Sequence, residues 1–282
     1  MTRALTTYEI TVGGIAQRFH VAGRGPVCVM HSGGPGVDWS YLRMPLVEEF
    51  VTAVYLEPVG TGESGRLPAH PRGYTVEAYV PFVHAVVEHV GAGYLLGHSH
   101  GGLVAQEYAL THPGRLAGMV LYATAPCNGP DLDAVAARNA RRQAARLPRL
   151  APVLRDLEAA WPGTDAGATA NLKAILPLYF ADYWAREAEY EALRAAVRCW
   201  HVSQDGEVFD VRERLGQITT PTLAICGKYD WICEPSWSRA LAEGIPGSTY
   251  VEHDSSGHFG HIEEPESFAE TVEKLVRSGS HR

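Results

Sequence analysis

The residues best placed to do chemistry are Gly97-His98-Ser99-His100-Gly101, a serine set between glycines in the pattern G-x-S-x-G. They follow the apolar run Tyr94-Leu95-Leu96 and precede a helix-like stretch from Gly101 to Leu110. A sharp strand-to-helix turn forces its central residue into a strained backbone conformation and needs glycines where side chains would clash. It also pushes the serine Oγ outward at the edge of the sheet. Ser99 is therefore the candidate nucleophile. A serine hydroxyl needs a base to activate it, and the base needs an acid to orient it. After such a turn these follow in the order Ser, Asp or Glu, His. Asp230 ends Gly227-Lys228-Tyr229-Asp230, directly after the apolar run Pro221 to Cys226, and is the natural acid. His258, in Ser256-Gly257-His258-Phe259-Gly260-His261 after the run Thr249 to Glu252, is the natural base. His253 and His261 compete with it, and Asp254 competes with Asp230.

A carbonyl under attack develops an oxyanion that two backbone N–H groups can stabilise. One is expected from His100, the residue after the nucleophile. The other is expected from the loop His31-Ser32-Gly33-Gly34-Pro35-Gly36, where glycines let the backbone approach the carbonyl. Gly34 is the first choice there and Gly33 the second.

The elements that must position these residues read as α/β. Tyr8 to Val12 and Gln17 to Val21, joined through Gly13-Gly14, form a hairpin. Val27 to Met30, Val51 to Leu56, Tyr94 to Leu96, Met119 to Tyr122, Leu223 to Cys226 and Thr249 to Glu252 are short β-rich runs. Most are apolar enough to be buried on both faces of a parallel sheet. Between them, Val76, Tyr79, Val80, Val83, Val87 and Val90 recur at helical spacing behind Thr75 as N-cap, with Pro81 a candidate kink, and Ser267 to Val276 is also helical. From about Cys127 to Gln217 no strand is evident, and Ala, Arg, Leu and aromatics recur at helical spacing. The expected architecture is a mostly parallel central sheet flanked by helices, residues 1–126 and 218–282, with an inserted helical cap at 127–217. Specificity belongs in that cap. Tyr183 and Trp184, among cap aromatics that could line an apolar pocket or simply pack the cap, are candidate substrate contacts.

Composition bounds the class. With 282 residues, 46% hydrophobic and 20% charged, the chain can bury a full core. A formal net charge of −8 argues against a nucleic-acid surface. No run approaches a membrane span, and the opening MTRALTTYEITV lacks the apolar stretch of a secretory signal, so a cytoplasmic location is expected. Five scattered cysteines without C-x-x-C spacing indicate neither a disulfide framework nor a zinc site.

Together these residues resemble the α/β-hydrolase superfamily, and within it the branch of proline iminopeptidases and related serine hydrolases. The likeness runs through Ser32-Gly33-Gly34-Pro35-Gly36, Glu57-Pro58-Val59-Gly60-Thr61-Gly62-Glu63-Ser64, the nucleophile turn, Gly227 to Asp230, and Gly257-His258 with Glu264-Pro265. It covers about 20–126 and 218–278. Proline iminopeptidases usually read H-G-G-P-G, where this chain has Ser32 for the histidine, and D-Q-R-G-x-G-x-S, where it has Glu57, Pro58 and Val59. The resemblance implies an α/β-hydrolase fold and a small-molecule substrate whose ester or amide is cleaved through an acyl-enzyme, with no cofactor or metal. Since iminopeptidases bind the substrate's amino group with cap carboxylates, it also makes Glu187, among Glu187, Glu189 and Glu191, a candidate substrate contact. An esterase or lactonase, a carbon–carbon hydrolase, a cyclising biosynthetic enzyme and a non-catalytic ligand-binding relative share the same framework.

Overall fold

The hairpin at the start of the chain is set by its turn. β1 (Thr6–Val12) and β2 (Ile15–Gly23) pair antiparallel with Val12 opposite Ile15. Gly13 and Gly14 between them both have positive φ, 56° and 83°, the combination a two-residue turn needs to match strand twist. The computed structural model describes residues 4–279, so the outermost residues of the expected core, 1–3 and 280–282, lie outside it.

Six further strands complete one sheet: β3 (Val27–His31), β4 (Thr52–Leu56), β5 (Tyr94–His98), β6 (Gly118–Tyr122), β7 (Thr222–Gly227) and β8 (Thr249–His253). Their order is β1-β2-β4-β3-β5-β6-β7-β8, with β2 antiparallel to β4 and every later pairing parallel. Adjacent residues of a strand face opposite sides, and the core divides accordingly. Val29, Val54, Leu95 and Leu121 join one buried cluster, and their neighbours Met30, Tyr55, Leu96 and Tyr122 join another. The first is covered by α1 (Val76–Val90) and α2 (His100–Thr111), through Val83, Val87, Val104 and Tyr108. The second is covered by the helix over Pro265–Gly279, through Phe268, Val272 and Val276. Thr75 caps α1 by accepting the Ala78 N–H, Gly91 ends it in the left-handed region, and the helix runs unbroken through Pro81.

Between β6 and β7 the chain forms α3 (Pro130–Arg146), α4 (Ala151–Glu158), α5 (Asp165–Ile175) and α6 (Glu187–Ala196). The expected helical run to residue 217 stops at Ala196. From there to Val211 the chain returns across the core without helix, ahead of a 3-10 helix at Arg212–Gln217: Val37 bridges Cys199, Trp200 N–H donates to the Gly36 carbonyl, and Cys127 bridges Asp210. Residues 197–211 carry no apolar stripe, and their backbone groups are satisfied by several segments in turn: the loop after β3, the Thr169 and Asp165 side chains of α5, Pro71 and Tyr74, and residues 126–128. After β7 come α7 (Pro235–Gly244), then α8 (Gly260–Glu263) and α9 (Pro265–Gly279) behind β8. Among the described residues no helix is long and apolar enough to cross a membrane, and all five cysteines are free.

Candidate active site

Ser99 sits between the last residue of β5 and the first of α2 at φ 53°, ψ −120°, a conformation that side chains rarely adopt. Surrounding hydrogen bonds hold it there. Its N–H donates to the Tyr122 carbonyl at 2.9 Å, and its own carbonyl accepts from Gly102 N–H at 2.8 Å and from the Thr124 hydroxyl at 2.7 Å. The flanking glycines are required by close approach: a Cβ at Gly97 would collide with the Gly101 carbonyl, and one at Gly101 with the His31 carbonyl. This strain at the end of a buried strand is the geometry that presents a serine.

Asp230 and His258 reach each other from the loops after β7 and β8. His258 Nδ1 lies 2.7 Å from Asp230 Oδ2, with both side chains buried. The other carboxylate oxygen, Oδ1, accepts the N–H groups of Ile232 and Cys233, each at 2.9 Å, so the acid is fixed from two sides. A carboxylate accepts only, so Nδ1 carries the proton and Nε2 keeps its lone pair, the tautomer a general base requires. His258 N–H donates to the Tyr179 carbonyl at 2.7 Å. The competing groups are spoken for elsewhere. His261 Nε2 lies 2.9 Å from the Tyr41 carbonyl and its Nδ1 2.9 Å from the Tyr122 hydroxyl, and burial pushes it down to about 4. His253 packs on Phe268, and Asp254 pairs with Lys228 at 3.0 Å.

The two glycines of the loop after β3 separate in role. Gly33 donates its N–H to the Tyr41 hydroxyl at 2.6 Å, so the second-choice oxyanion donor is already committed. Gly33 also abuts the nucleophile, since a Cβ there would lie 3.0 Å from that of Ser99. Gly34, at φ 136°, makes no hydrogen bond through its N–H among the described residues. His100 is the first residue of α2, and a helix cannot satisfy the N–H of its first turn. Burial pushes the His100 imidazole down to about 3, which keeps it neutral beside this helix start.

Ser99, His258, His100, Gly33 and Gly34 border a cavity of about 740 Å³. Most of its remaining wall is apolar, including Leu172 and Ile175 from α5, Leu193, Val197, and Phe259 beside the base. Among the described lining residues no Lys or Arg occurs, and the charged groups are Asp133 and Glu207, both exposed. Tyr183, Trp184 and Glu187 are not in this wall. Tyr183 is buried against Phe180 and Tyr190 with its hydroxyl on Glu191, Trp184 lies under the Arg149 guanidinium, and Glu187 pairs with Arg149 at 3.7 Å. They pack and decorate the inserted helices, while the inserted part of the wall comes largely from α5, with Leu193 of α6 and Leu132 of α3. The α5 stripe Ala168, Leu172, Ile175 is visible in the sequence, but spacing alone cannot distinguish a face that lines a cavity from one that packs on the core.

Asp230, Cys233 and His258 are the one group among the described residues whose ligand atoms, all within 4.8 Å of one another, could meet at a metal. The donor set suits one poorly. Burial pushes the Cys233 thiol well above its ordinary range, and both Asp230 oxygens already accept hydrogen bonds.

Comparison with known proteins identifies the fold. A family model described as alpha/beta hydrolase fold matches residues 26–265. The chain is 28% identical to a putative carbamate hydrolase RutD of Stutzerimonas stutzeri, over 86% of this chain and 88% of that one. It is 25% identical to a proline iminopeptidase of Flavobacterium johnsoniae, over 92% of each. Among solved structures, the enol-lactonase from Burkholderia xenovorans LB400 superposes with a TM-score of 0.72 at 24% identity, covering 96% of this chain and all of that one, a likeness of fold.

Proposed function

The chain belongs to the α/β-hydrolase family, and from that premise we propose that it is a serine hydrolase cleaving a carboxyl ester of an uncharged, largely apolar small molecule. Ser99 Oγ attacks the carbonyl while His258 Nε2 takes its proton, and Asp230 stabilises the imidazolium that forms. The N–H groups of His100 and Gly34 stabilise the tetrahedral oxyanion. His258 then protonates the leaving group, and the acyl-enzyme on Ser99 is released by water that His258 activates. The observation carrying this reading is the buried 2.7 Å pair of His258 and Asp230, whose His258 borders the same cavity as the strained Ser99. The apolar wall and its lack of cationic side chains favour an uncharged acyl group.

A second reading, cleavage after an N-terminal residue, is favoured by Asp133 and Glu207, which set two carboxylates on the exposed part of the wall where a substrate ammonium could dock. Intact-mass labelling with a fluorophosphonate, on the native protein and Ser99→Ala, followed by p-nitrophenyl esters and aminoacyl anilides, tests both. One adduct on the native protein and none on the variant, with esters turned over, supports the esterase. Anilides cleaved only when their amine is free support the second reading, and an unlabelled native protein contradicts both.

A further inference from the structure

His98, the residue before the nucleophile, is buried and has both ring nitrogens engaged. Its Nε2 lies 3.0 Å from the backbone carbonyl of His258 and its Nδ1 2.6 Å from the Tyr41 hydroxyl. The direction of every bond follows. A carbonyl only accepts, so Nε2 carries the proton and Nδ1 of a neutral ring must accept, which makes Tyr41 the donor to it. The Tyr41 oxygen in turn accepts the Gly33 N–H at 2.6 Å. Burial and the neighbouring His258 and His261 push His98 well below the ordinary histidine range, so the ring stays neutral as this pattern demands. Tyr41 is anchored at its other end too, its carbonyl lying 2.9 Å from His261 Nε2.

We propose that Tyr41 and His98 are positioning residues, a buried relay running Gly33 N–H to Tyr41 O–H to His98 to the His258 carbonyl, that fixes the oxyanion loop and the base loop relative to Ser99. The inference rests on the serine-hydrolase reading for its kinetic consequence. The end of β5 and the loops after β3 and β8, distant in sequence, meet at one imidazole. By occupying the Gly33 N–H, the relay leaves free the adjacent Gly34 N–H, which has no acceptor among the described residues. Both side chains border the cavity, but their polar atoms are turned to protein partners, so their loss misplaces the reacting groups and should lower the rate of the chemical step more than it weakens ground-state binding.

The test uses fluorophosphonate labelling rates and p-nitrophenyl butyrate kinetics on the full chain. Tyr41→Phe and His98→Leu should each lower kcat and slow labelling by up to about a hundredfold, as a small misplacement of reacting groups does, with KM little changed. The double variant should lose no more than the worse single one, because each breaks the same device. His98→Gln keeps one acceptor for Tyr41 and one donor for the His258 carbonyl, and should retain activity within about tenfold of the native protein. Losses that multiply, a His98→Gln variant as slow as His98→Leu, or a raised KM at constant kcat would overturn the relay. Should a variant fail to fold, or should the native protein take no label and so refute the hydrolase reading, ¹⁵N spectra of the histidines decide the relay by themselves. A neutral ring protonated on Nε2 at pH 5 and missing from His98→Gln is expected, and a His98 ring that is cationic at that pH or protonated on Nδ1 contradicts it.

Discussion

The crevice at the ends of β3, β5, β7 and β8 and the helices inserted between β6 and β7 are held by different physics. In the crevice the polar groups are buried and hydrogen-bonded in fixed directions: Asp230 takes three bonds, His258 is held at backbone and ring, and His98 and His261 use both nitrogens. Losing one such bond strands a partner without solvent, which is expensive. The inserted helices carry their charges outside, in pairs such as Arg141–Glu158 and Arg186–Glu189, and turn apolar side chains toward the cavity. Surface pairs of this kind contribute little, and an apolar wall tolerates a change of shape. On the proposed serine-hydrolase reading, the chemistry would sit where geometry is rigid, and substrate choice where the wall can vary.

That contrast orders the expected effects of mutation. Ser99→Ala and His258→Ala should each lower kcat by about a millionfold on p-nitrophenyl butyrate, because nucleophile and base act as a unit. Asp230→Asn should cost about ten-thousandfold in kcat with the fold intact, through loss of the correct His258 tautomer, and a pH-rate profile would show it. On the inserted side, Ile175→Trp fills the cavity and should change the ratio of kcat/KM between long and short acyl esters by about tenfold to a hundredfold, with acetate turnover preserved. If Ile175→Trp slowed every ester equally, the two regions would not divide chemistry from selectivity.

Glu57 offers a stability test on the core side. Burial works to raise its carboxyl, but His20 and the N–H groups of Ser64 and Glu63 outweigh that and hold it below the usual carboxylate range. A carboxyl depressed in the folded state adds stability that is present above its unfolded value and lost as pH falls through its folded value. Thermal melts of Glu57→Gln should therefore show a lower Tm than the native protein at pH 7, the gap closing as the pH falls below about 4. The smallest effect is expected for Arg141→Ala, whose exposed pair with Glu158 should alter stability by less than about 0.5 kcal/mol and leave kinetics unchanged.

Much of the core was readable from the chain because its signals are local. The inner strands lie where short apolar runs end in turn residues, the segments on either side of Gly13-Gly14 form the hairpin, Thr75 caps its helix, and the G-x-S-x-G turn lies between strand and helix. What escaped depends on contacts between distant segments. The helix Pro235–Gly244 buries only Ser238 and Leu241 and so writes no apolar stripe. Gly33 and Gly34 look equivalent until the Tyr41 hydroxyl claims one of them. The aromatics Tyr183 and Trp184 announce a packed face without saying what it packs against, and here it is other inserted residues and Arg149.

The central claim is an acyl-enzyme on Ser99, and the most direct measurement is rapid acid quenching during turnover of a p-nitrophenyl ester, followed by peptide mass mapping. An acyl group on the peptide carrying Ser99, absent from Ser99→Ala, is the predicted result. Turnover with the acyl group on another residue, or turnover that persists in Ser99→Ala, would contradict it.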